Sequence, residues 1–512
     1  MHIHVSPRFG IVTAASLLAT VVFVLAGAPS VLTQQQPAVP GITPFQRDLT
    51  KELANKMKGT YVVAAVGDVL MQEPMGKMMD PAIQKILRDA DTTVGNKEHY
   101  VVDSRDWPHG HGNNWAPKEL AKDLADLGFD LLAPGEGDGG IEGMKSSAYW
   151  YDQVGIKIAG QGPNLATARM PVFQHLEKGR VAMLSAFPVP DRGAGSNANI
   201  AANRSGNNGS ERFGLNPLRL TVWNVVTEPM IQQLKAMKET IMARRTEPDV
   251  ARPMAVGQDP ADRVTLFADQ RFVAGPKAGE YHYEMNRGDL EAQILATRNA
   301  KEYADFAMFT MHVHANRSAF QAYSQDHYPV DFLKELTHTL VDNGMDMFVG
   351  HGNHTMQGIE IYKGRPIFYN LGNFAVHRFG ADNSNTGTMT DIERSEGGGD
   401  WLQQYINLVA YIATSKYTDG VLEEIRIYPV DLGVDKATRP WSKMSIPMTP
   451  SPELAKRILG DIQKYSEPFG TKITIENGVG VIKVPREATV PVGGNLRSTF
   501  GTAAPRGRGP GG

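Results

Sequence analysis

The chain has 512 residues, room for two or three average domains or one large domain with insertions, so a sizeable hydrophobic core is within reach. Its 52 basic and 55 acidic residues leave a formal charge of −3, without the basic excess that a nucleic-acid backbone demands, and no nucleic-acid partner is expected. The absence of cysteine rules out disulfides, thiolate nucleophiles and thiolate metal sites, so any metal must rest on His, Asn, Asp or Glu.

In chain order, Arg8 precedes an uncharged run from Ile11 to Ala28 that closes on Ala26, Gly27 and Ala28, the composition of an export signal. Residues 1–28 are therefore set aside from the fold. The run is also long enough to span a bilayer, and Pro29 stands just after the expected cleavage point, so an uncleaved anchor stays open. The expected location is exported: periplasmic, extracellular or membrane-anchored at the cell envelope. Residues 29–58 read as a linker, and residues 59–432 as the main domain. There "YVVAAV" reads as a strand, a short helix comes next near Ile83 to Arg88, and "TTV" is the second strand. Pro117 to Leu127 places Leu120, Leu124 and Leu127 at helical spacing before the stop at Gly128 and the apolar run "FDLLA". "GIKIAG", from Gly155 to Gly160, adds a strand. Residues 191–285, rich in Gly, Asn and Ser at their start, read as insertions around one helix from roughly Pro229 to Arg244. The pattern resumes with a helix through Leu290 and Ile294 and the strand "DFAMFTM". It repeats with Leu333, Leu336 and Leu340, Gly344 and "MDMFV". Residues 433–490 form an extension: a helix begun by Ser451 and Pro452, then a hairpin on the Asn477-Gly478 turn of "TKITIENGVGVIKV". Residues 491–512 have the composition of a disordered tail.

Helices alternating with short buried strands imply parallel crossovers in an α/β fold, and such folds carry their chemistry at the carboxyl ends of the strands. The successive strand ends carry Asp68; Asn96 and Glu98; Glu136 and Asp138; His312 and His314; His351 and His354. A histidine pair on a turn is more often solvated than metallated, and an Asp at a strand end can simply cap the next segment. The convergence of metal-capable side chains on so many strand ends outweighs any single motif. Gly350, Gly352 and Gly358 let backbone approach a ligand around His351 and His354. Oxygen and nitrogen ligands without sulfur suit one or two ions of Mn, Fe or Zn and point to metal-assisted hydrolysis. The competing reading is an anion-binding or vestigial cleft. His109 and His111 read either as a substrate clamp or proton donor or as surface groups near Trp107 and Trp115. No Gly-x-Ser-x-Gly elbow, phosphate loop or dinucleotide fingerprint is present.

These segments resemble the capsule synthesis protein CapA family, also called poly-gamma-glutamate biosynthesis proteins. "VAAVGDVLM" resembles the family's opening strand and Gly-Asp, and "DADTTVGNKEHYV" its Asn-Leu-Glu segment with Lys97 in place of leucine. "DFAMFTMHVHANR" stands where the family has His-Trp-Gly. The strongest likeness is "VDNGMDMFVGHGNHTMQGIEIYKGRPIFYNLGNF", similar to Gly-His-His-Pro-His through Ser-Leu-Gly-Asn-Phe. The resemblance implies a metallophosphatase-like layered sandwich of β-sheets flanked by helices. It also implies ligand roles for Asp68, Glu98, His312, His351 and His354 with Asn96 beside them. His312, His314 and Glu136 are assigned to catalysis, and His109, His111 and Asn373 to substrate binding. Two departures stand out: Pro134-Gly135-Glu136 replaces Asn-Asn-His, and Gly352 replaces a histidine while His314 adds one. The implied function is an exported metal-dependent hydrolase of capsule or poly-gamma-glutamate metabolism, acting on a phosphoester or an anionic envelope polymer. The alternative is a noncatalytic envelope component that binds or exports such a polymer with membrane or capsule-assembly partners, its metal site degenerate.

Overall fold

The computed structural model describes residues 51, 53–103, 105, 114–135, 139–191, 201–202, 212–243, 259–266, 270–318, 326–377, 405–434 and 445–490. Residues 1–28, His109, His111, Glu136, Asp138 and residues 491–512 lie outside them. The strands that build the site are, in chain order, β1 (Thr60–Met71), β2 (Thr92–Lys97), β3 (Leu131–Pro134), β4 (Gly179–Pro190), β5 (Pro217–Val226), β6 (Phe306–His312), β7 (Met347–His351), β8 (Asn373–His377), β9 (Val409–Thr418) and β10 (Val421–Asp431). The helices that cover them are α1 (Pro81–Arg88), α2 (Glu119–Asp126), α3 (Gly140–Asp152), α4 (Arg287–Tyr303), α5 (Asp331–Asp342) and α6 (Pro452–Ser466).

Two mixed sheets result. In the nine-stranded sheet, Thr474–Glu476, Val479–Lys483, β10, β9, β1, β2, β3 and Lys157–Ile158 lie side by side, and β8 also pairs with β1. In the ten-stranded sheet the order is Arg263–Leu266, Gln270–Ala274, β5, β4, β6, β7, Arg365–Phe368 and Ile359–Tyr362, with Tyr281–Met285 on β5 and Val172–Leu176 on β4. The strands nearest the site run parallel: β1 with β2, β2 with β3, β4 with β6, and β6 with β7.

Strand periodicity assigns each face a role. Val63 and Ala65 of β1 face Val181, Met183, Met308 and Val349 of the other sheet across a shared core. Val66 and Val69 turn the other way, onto Ile83 and Leu87 of α1 and Leu120 and Leu124 of α2. On the far side, Leu184 and Phe309 meet Ile294 of α4 and Leu333, Leu336 and Leu340 of α5. The fold is thus a layered sandwich of two β-sheets flanked by helices. Strands buried on both faces carry continuous apolar runs, which is why β1, β6 and β7 stand out in the sequence.

Residues 191–285 differ from the expected insertion. The helix Glu228–Ala243 is present, but β5, Arg263–Leu266, Gln270–Ala274 and Tyr281–Met285 extend the ten-stranded sheet. The three strands beyond β5 have only four or five residues and are partly buried, and β5 meets β4, Gln270–Ala274 and Tyr281–Met285 across intervening chain, so no local periodicity announces this part of the sheet. In the extension, Asn477 (φ 51°) and Gly478 (φ 78°) make the hairpin turn, and its second strand joins β10. Ser451 caps α6 by accepting from the Leu454 amide, and Ile458, Leu459 and Ile462 enter the core between the sheets.

Candidate metal centre

The parallel registers bring the polar strand ends together. Asp68 on β1 lies opposite Asn96 on β2 and Asn373 on β8, while His312 at the end of β6 lies opposite His351 at the end of β7. Gly67 makes this convergence possible, because a Cβ there would stand 1.7 Å from the Gly372 carbonyl oxygen. Gly352, at φ +106°, turns its amide onto Asp68 and donates to Oδ1 at 3.1 Å and Oδ2 at 3.2 Å. The two sheets are therefore tied at the carboxylate itself.

Around Asp68 there are more acceptors than donors. Asn96 Nδ2 lies 2.9 Å from Asp68 Oδ1, 3.1 Å from Glu98 Oε1 and 2.9 Å from His312 Nδ1, and its two hydrogens cannot serve all three. Asn96 Oδ1, His312 Nε2 and His351 Nδ1 are buried and have no hydrogen-bond partner among the described residues. Two groups place their ligand atoms within 4.8 Å of one another: Asp68, Glu98 and His312, and Glu98, His314 and His354. Glu98 is common to both, with Oε1 3.4 Å from His312 Nδ1 and Oε2 3.9 Å from His354 Nε2.

The ring nitrogens are held ready to coordinate. Asn373 Nδ2 donates to the Asn407 carbonyl at 3.0 Å, which leaves Asn373 Oδ1 to accept from His354 Nδ1 at 2.8 Å. His354 thus carries its proton on Nδ1 and presents the Nε2 lone pair to Glu98. Burial, reinforced by the neighbouring imidazoles of His314 and His354, keeps His312 far below the ordinary imidazole range. Burial alone lowers His314 to about 4, and it lowers His351 to about 3. Burial raises the Asp68 carboxyl, against the pull of His354 and its hydrogen bonds. Neutral imidazoles and desolvated carboxylates around unpartnered acceptors fit a divalent cation, which restores the charge balance that burial removes.

Asp68, Asn96, Glu98, His312 and His354 are brought together as expected ligands, and His314 joins them, its ring 4.7 Å from His312 and 5.3 Å from His354. His351 stands apart from both ligand groups: its Nε2 lies 3.3 Å from the Val66 carbonyl oxygen, the partner that a protonated ring nitrogen takes. Asn373, expected to bind substrate, accepts a hydrogen bond from His354 Nδ1. Sequence reasoning missed Phe187, whose ring stacks on His312 at 5.9 Å and 14°. It also passed over the other face of β2, where Lys97 is buried and donates to the His99 carbonyl at 3.0 Å, and His99 Nε2 meets the Tyr151 hydroxyl at 2.5 Å. The unbroken polar run from Asn96 to His99, buried throughout at the end of β2, was the available signal that both faces are polar there.

The chain matches the bacterial capsule synthesis protein family PGA_cap over residues 62–378. It is 31% identical to protein y4sH of Sinorhizobium fredii over 474 residues, 85% of this chain and 96% of that one. It is 37% identical to the PGA biosynthesis protein CapA of Bacillus subtilis over 86 residues, 17% of this chain and 20% of that one. Among solved structures, a hypothetical protein from Thermus thermophilus aligns with 72% of this chain and 99% of its own at 11% identity and a TM-score of 0.33. With the family match covering the strands that carry Asp68, Glu98, His312 and His354, the chain belongs to the bacterial capsule synthesis protein family PGA_cap.

Proposed function

We propose that this protein is an exported, metal-dependent hydrolase of capsule or poly-gamma-glutamate metabolism, cleaving a phosphoester or amide link in an anionic envelope polymer. The observation that carries the reading is Glu98, whose two oxygens face two different buried ligand groups. That arrangement suits one or two ions of Mn, Fe or Zn, held by Asp68, Glu98 and His312 beside Asn96, and by Glu98, His314 and His354. A divalent ion there supplies Lewis-acid polarisation of the scissile group and acidifies water. The chain's own residues do the rest. Gly352 holds the Asp68 carboxylate, Asn373 fixes the His354 tautomer, and Phe187 covers one face of His312 against solvent. With a single ion on Asp68, Glu98 and His312, His314 is not a ligand, and its neutral ring, 4.7 Å from that of His312, can take up and return a proton.

The test is elemental analysis and turnover on the mature chain, comparing wild type with Glu98→Gln and His354→Ala. One to two equivalents of metal and hydrolysis of an aryl phosphodiester or a gamma-glutamyl polymer, both lost in Glu98→Gln, are expected. Polymer binding that survives exhaustive chelation, with no turnover, would instead mark a noncatalytic envelope component. Export is tested by cell fractionation with and without residues 1–28; an unchanged distribution would refute it. No helix among the described residues is long and apolar enough to cross a membrane.

A further inference from the structure

Glu98 stands just past the end of β2, and the residues on either side of it, Lys97 and His99, are themselves buried: Lys97 is 1% exposed and His99 is fully enclosed. Burying an ammonium and an imidazole costs stability unless their hydrogen bonds are made, so the bonds they make are informative. The Glu98 amide donates to the Val69 carbonyl of β1 at 2.9 Å. The same carbonyl lies 3.0 Å from His99 Nδ1, closer than the Met71 amide at 3.5 Å, which puts the ring proton on Nδ1. Burial, helped by the Lys97 charge, lowers His99 to about 3, and burial raises the Tyr151 hydroxyl. A neutral ring protonated on Nδ1 accepts at Nε2, where the Tyr151 hydroxyl of α3 donates at 2.5 Å.

The other flank is tied as well. Lys97 Nζ donates across Glu98 to the His99 carbonyl at 3.0 Å, and the Lys97 carbonyl accepts from the Gly135 amide, just after β3, at 2.7 Å. The two neighbours of Glu98 are therefore joined to each other, to β1, to α3 and to the end of β3. Gly135 closes the enclosure, because a Cβ there would stand 2.8 Å from the Lys97 carbonyl oxygen and 2.9 Å from Glu98 Cγ. Glu98 has a demanding place to keep, with Oε1 3.4 Å from His312 Nδ1 and Oε2 3.9 Å from His354 Nε2. Ligand side chains work only when the groups behind them hold them within about 0.5 Å of the productive geometry.

We propose that Lys97, His99 and Tyr151 are positioning residues, a buried polar brace that holds the Glu98 carboxylate between its two ligand groups. The inference rests on the metal-centre reading for what Glu98 binds. It deepens that reading by placing the support of the shared ligand in side chains that bear on the residues flanking it and touch no ion.

The test uses the purified chain and the variants Tyr151→Phe, Lys97→Met and Gly135→Ala, each crystallised without metal and titrated with Mn²⁺ by calorimetry. Tyr151→Phe removes one hydroxyl, and Lys97→Met replaces the ammonium by an apolar chain of similar length, so neither empties the layer. In both, the Glu98 carboxylate is expected to leave its place between His312 and His354, and Mn²⁺ affinity to fall about 10- to 100-fold. The loss should come first in the group of Glu98, His314 and His354, where Glu98 supplies the carboxylate. Gly135→Ala, which presses on Glu98 directly, should reproduce it. A merely structural role predicts a lower Tm with Glu98 in place and wild-type affinity; that result in Tyr151→Phe and Lys97→Met would overturn the brace. Weakened binding in Gly135→Ala would then leave the metal centre standing. A displaced Glu98 in Tyr151→Phe and Lys97→Met, in a protein whose wild type takes up no ion, supports the brace and overturns the metal reading.

Discussion

Replacing Asn373 by alanine removes the side chain that holds Nδ1 of one expected ligand, His354. Asn373 is fully buried, and its amide spans two partners, the Asn407 carbonyl at 3.0 Å and His354 Nδ1 at 2.8 Å. Without it, the His354 proton is free to move to Nε2, the nitrogen that faces Glu98, and each imidazole in that tautomer is lost as a ligand. Removing the hydrogen-bond partner of a ligating histidine typically weakens metal affinity by about 10- to 100-fold, equivalent to about 1.4–2.8 kcal/mol. His354 also sits at φ 57°, a left-handed conformation costing about 1–2 kcal/mol for a residue with a Cβ, so the loop has little reserve once the Asn373 bond is gone. Losing the two Asn373 hydrogen bonds costs about 0.5–1.5 kcal/mol each in stability. The assay is competition of Mn²⁺ or Zn²⁺ against a chromophoric chelator, with urea denaturation of the chelated protein measured separately. Asn373→Asp keeps the acceptor for His354 and should retain most of the affinity. Wild-type affinity in Asn373→Ala, alongside loss of affinity in His354→Ala, would refute the argument that Asn373 acts through the His354 tautomer.

Metal removal should destabilise the fold: at an ion concentration of about 100 times Kd, binding contributes about 2.7 kcal/mol, and calorimetry with and without chelator reads it as a Tm shift. A Tm indifferent to both chelator and added Mn²⁺ or Zn²⁺ would argue that Asp68, Glu98 and His312 hold no ion. Gly350→Ala would place a Cβ 2.1 Å from the Tyr369 carbonyl oxygen, so this variant is expected to lose soluble expression or drop sharply in urea midpoint. Gly460→Ala, inside α6 with nothing within 4 Å of the new Cβ, should gain about 0.5–1 kcal/mol. His282 Nδ1 meets Asp331 at 2.5 Å, and this hydrogen bond raises the imidazole above its ordinary 6.5. Its contribution is therefore fully present below about pH 6.5 and fades as pH rises through the raised value. With both side chains around 40% exposed, it is under about 1 kcal/mol. His282→Gln should lower Tm at pH 5.5 and leave it unchanged at pH 9; an equal effect at both would remove the ion pair from the account.

The central strands and their covering helices were readable because they obey local rules. Val63 and Ala65 alternate with Val66 toward opposite layers, and Leu333, Leu336 and Leu340 recur at helical spacing, so burial writes its period into neighbouring residues. β5 and its partners, placed among insertions by their composition, owe their strand state to pairing across distant chain segments. His351 shows the same limit at the level of chemistry. It sits in a ligand-like loop, and the structure sets its Nε2 3.3 Å from the Val66 carbonyl oxygen, outside both ligand groups. His314 moved the other way, from an extra histidine to a member of a group with Glu98 and His354.

Taken by itself, the sequence determined the absence of sulfur ligands, the parallel α/β core and the strand ends at which Asp68, Asn96, Glu98, His312 and His354 stand. Each of these comes from composition or from contacts near in the chain. Only the tertiary structure decided that Glu98 belongs to two ligand groups and that Asn373 serves His354. These depend on which oxygen or nitrogen of a side chain meets which partner across two sheets, and residues far apart in the chain acquire that relation only when the sheets pack.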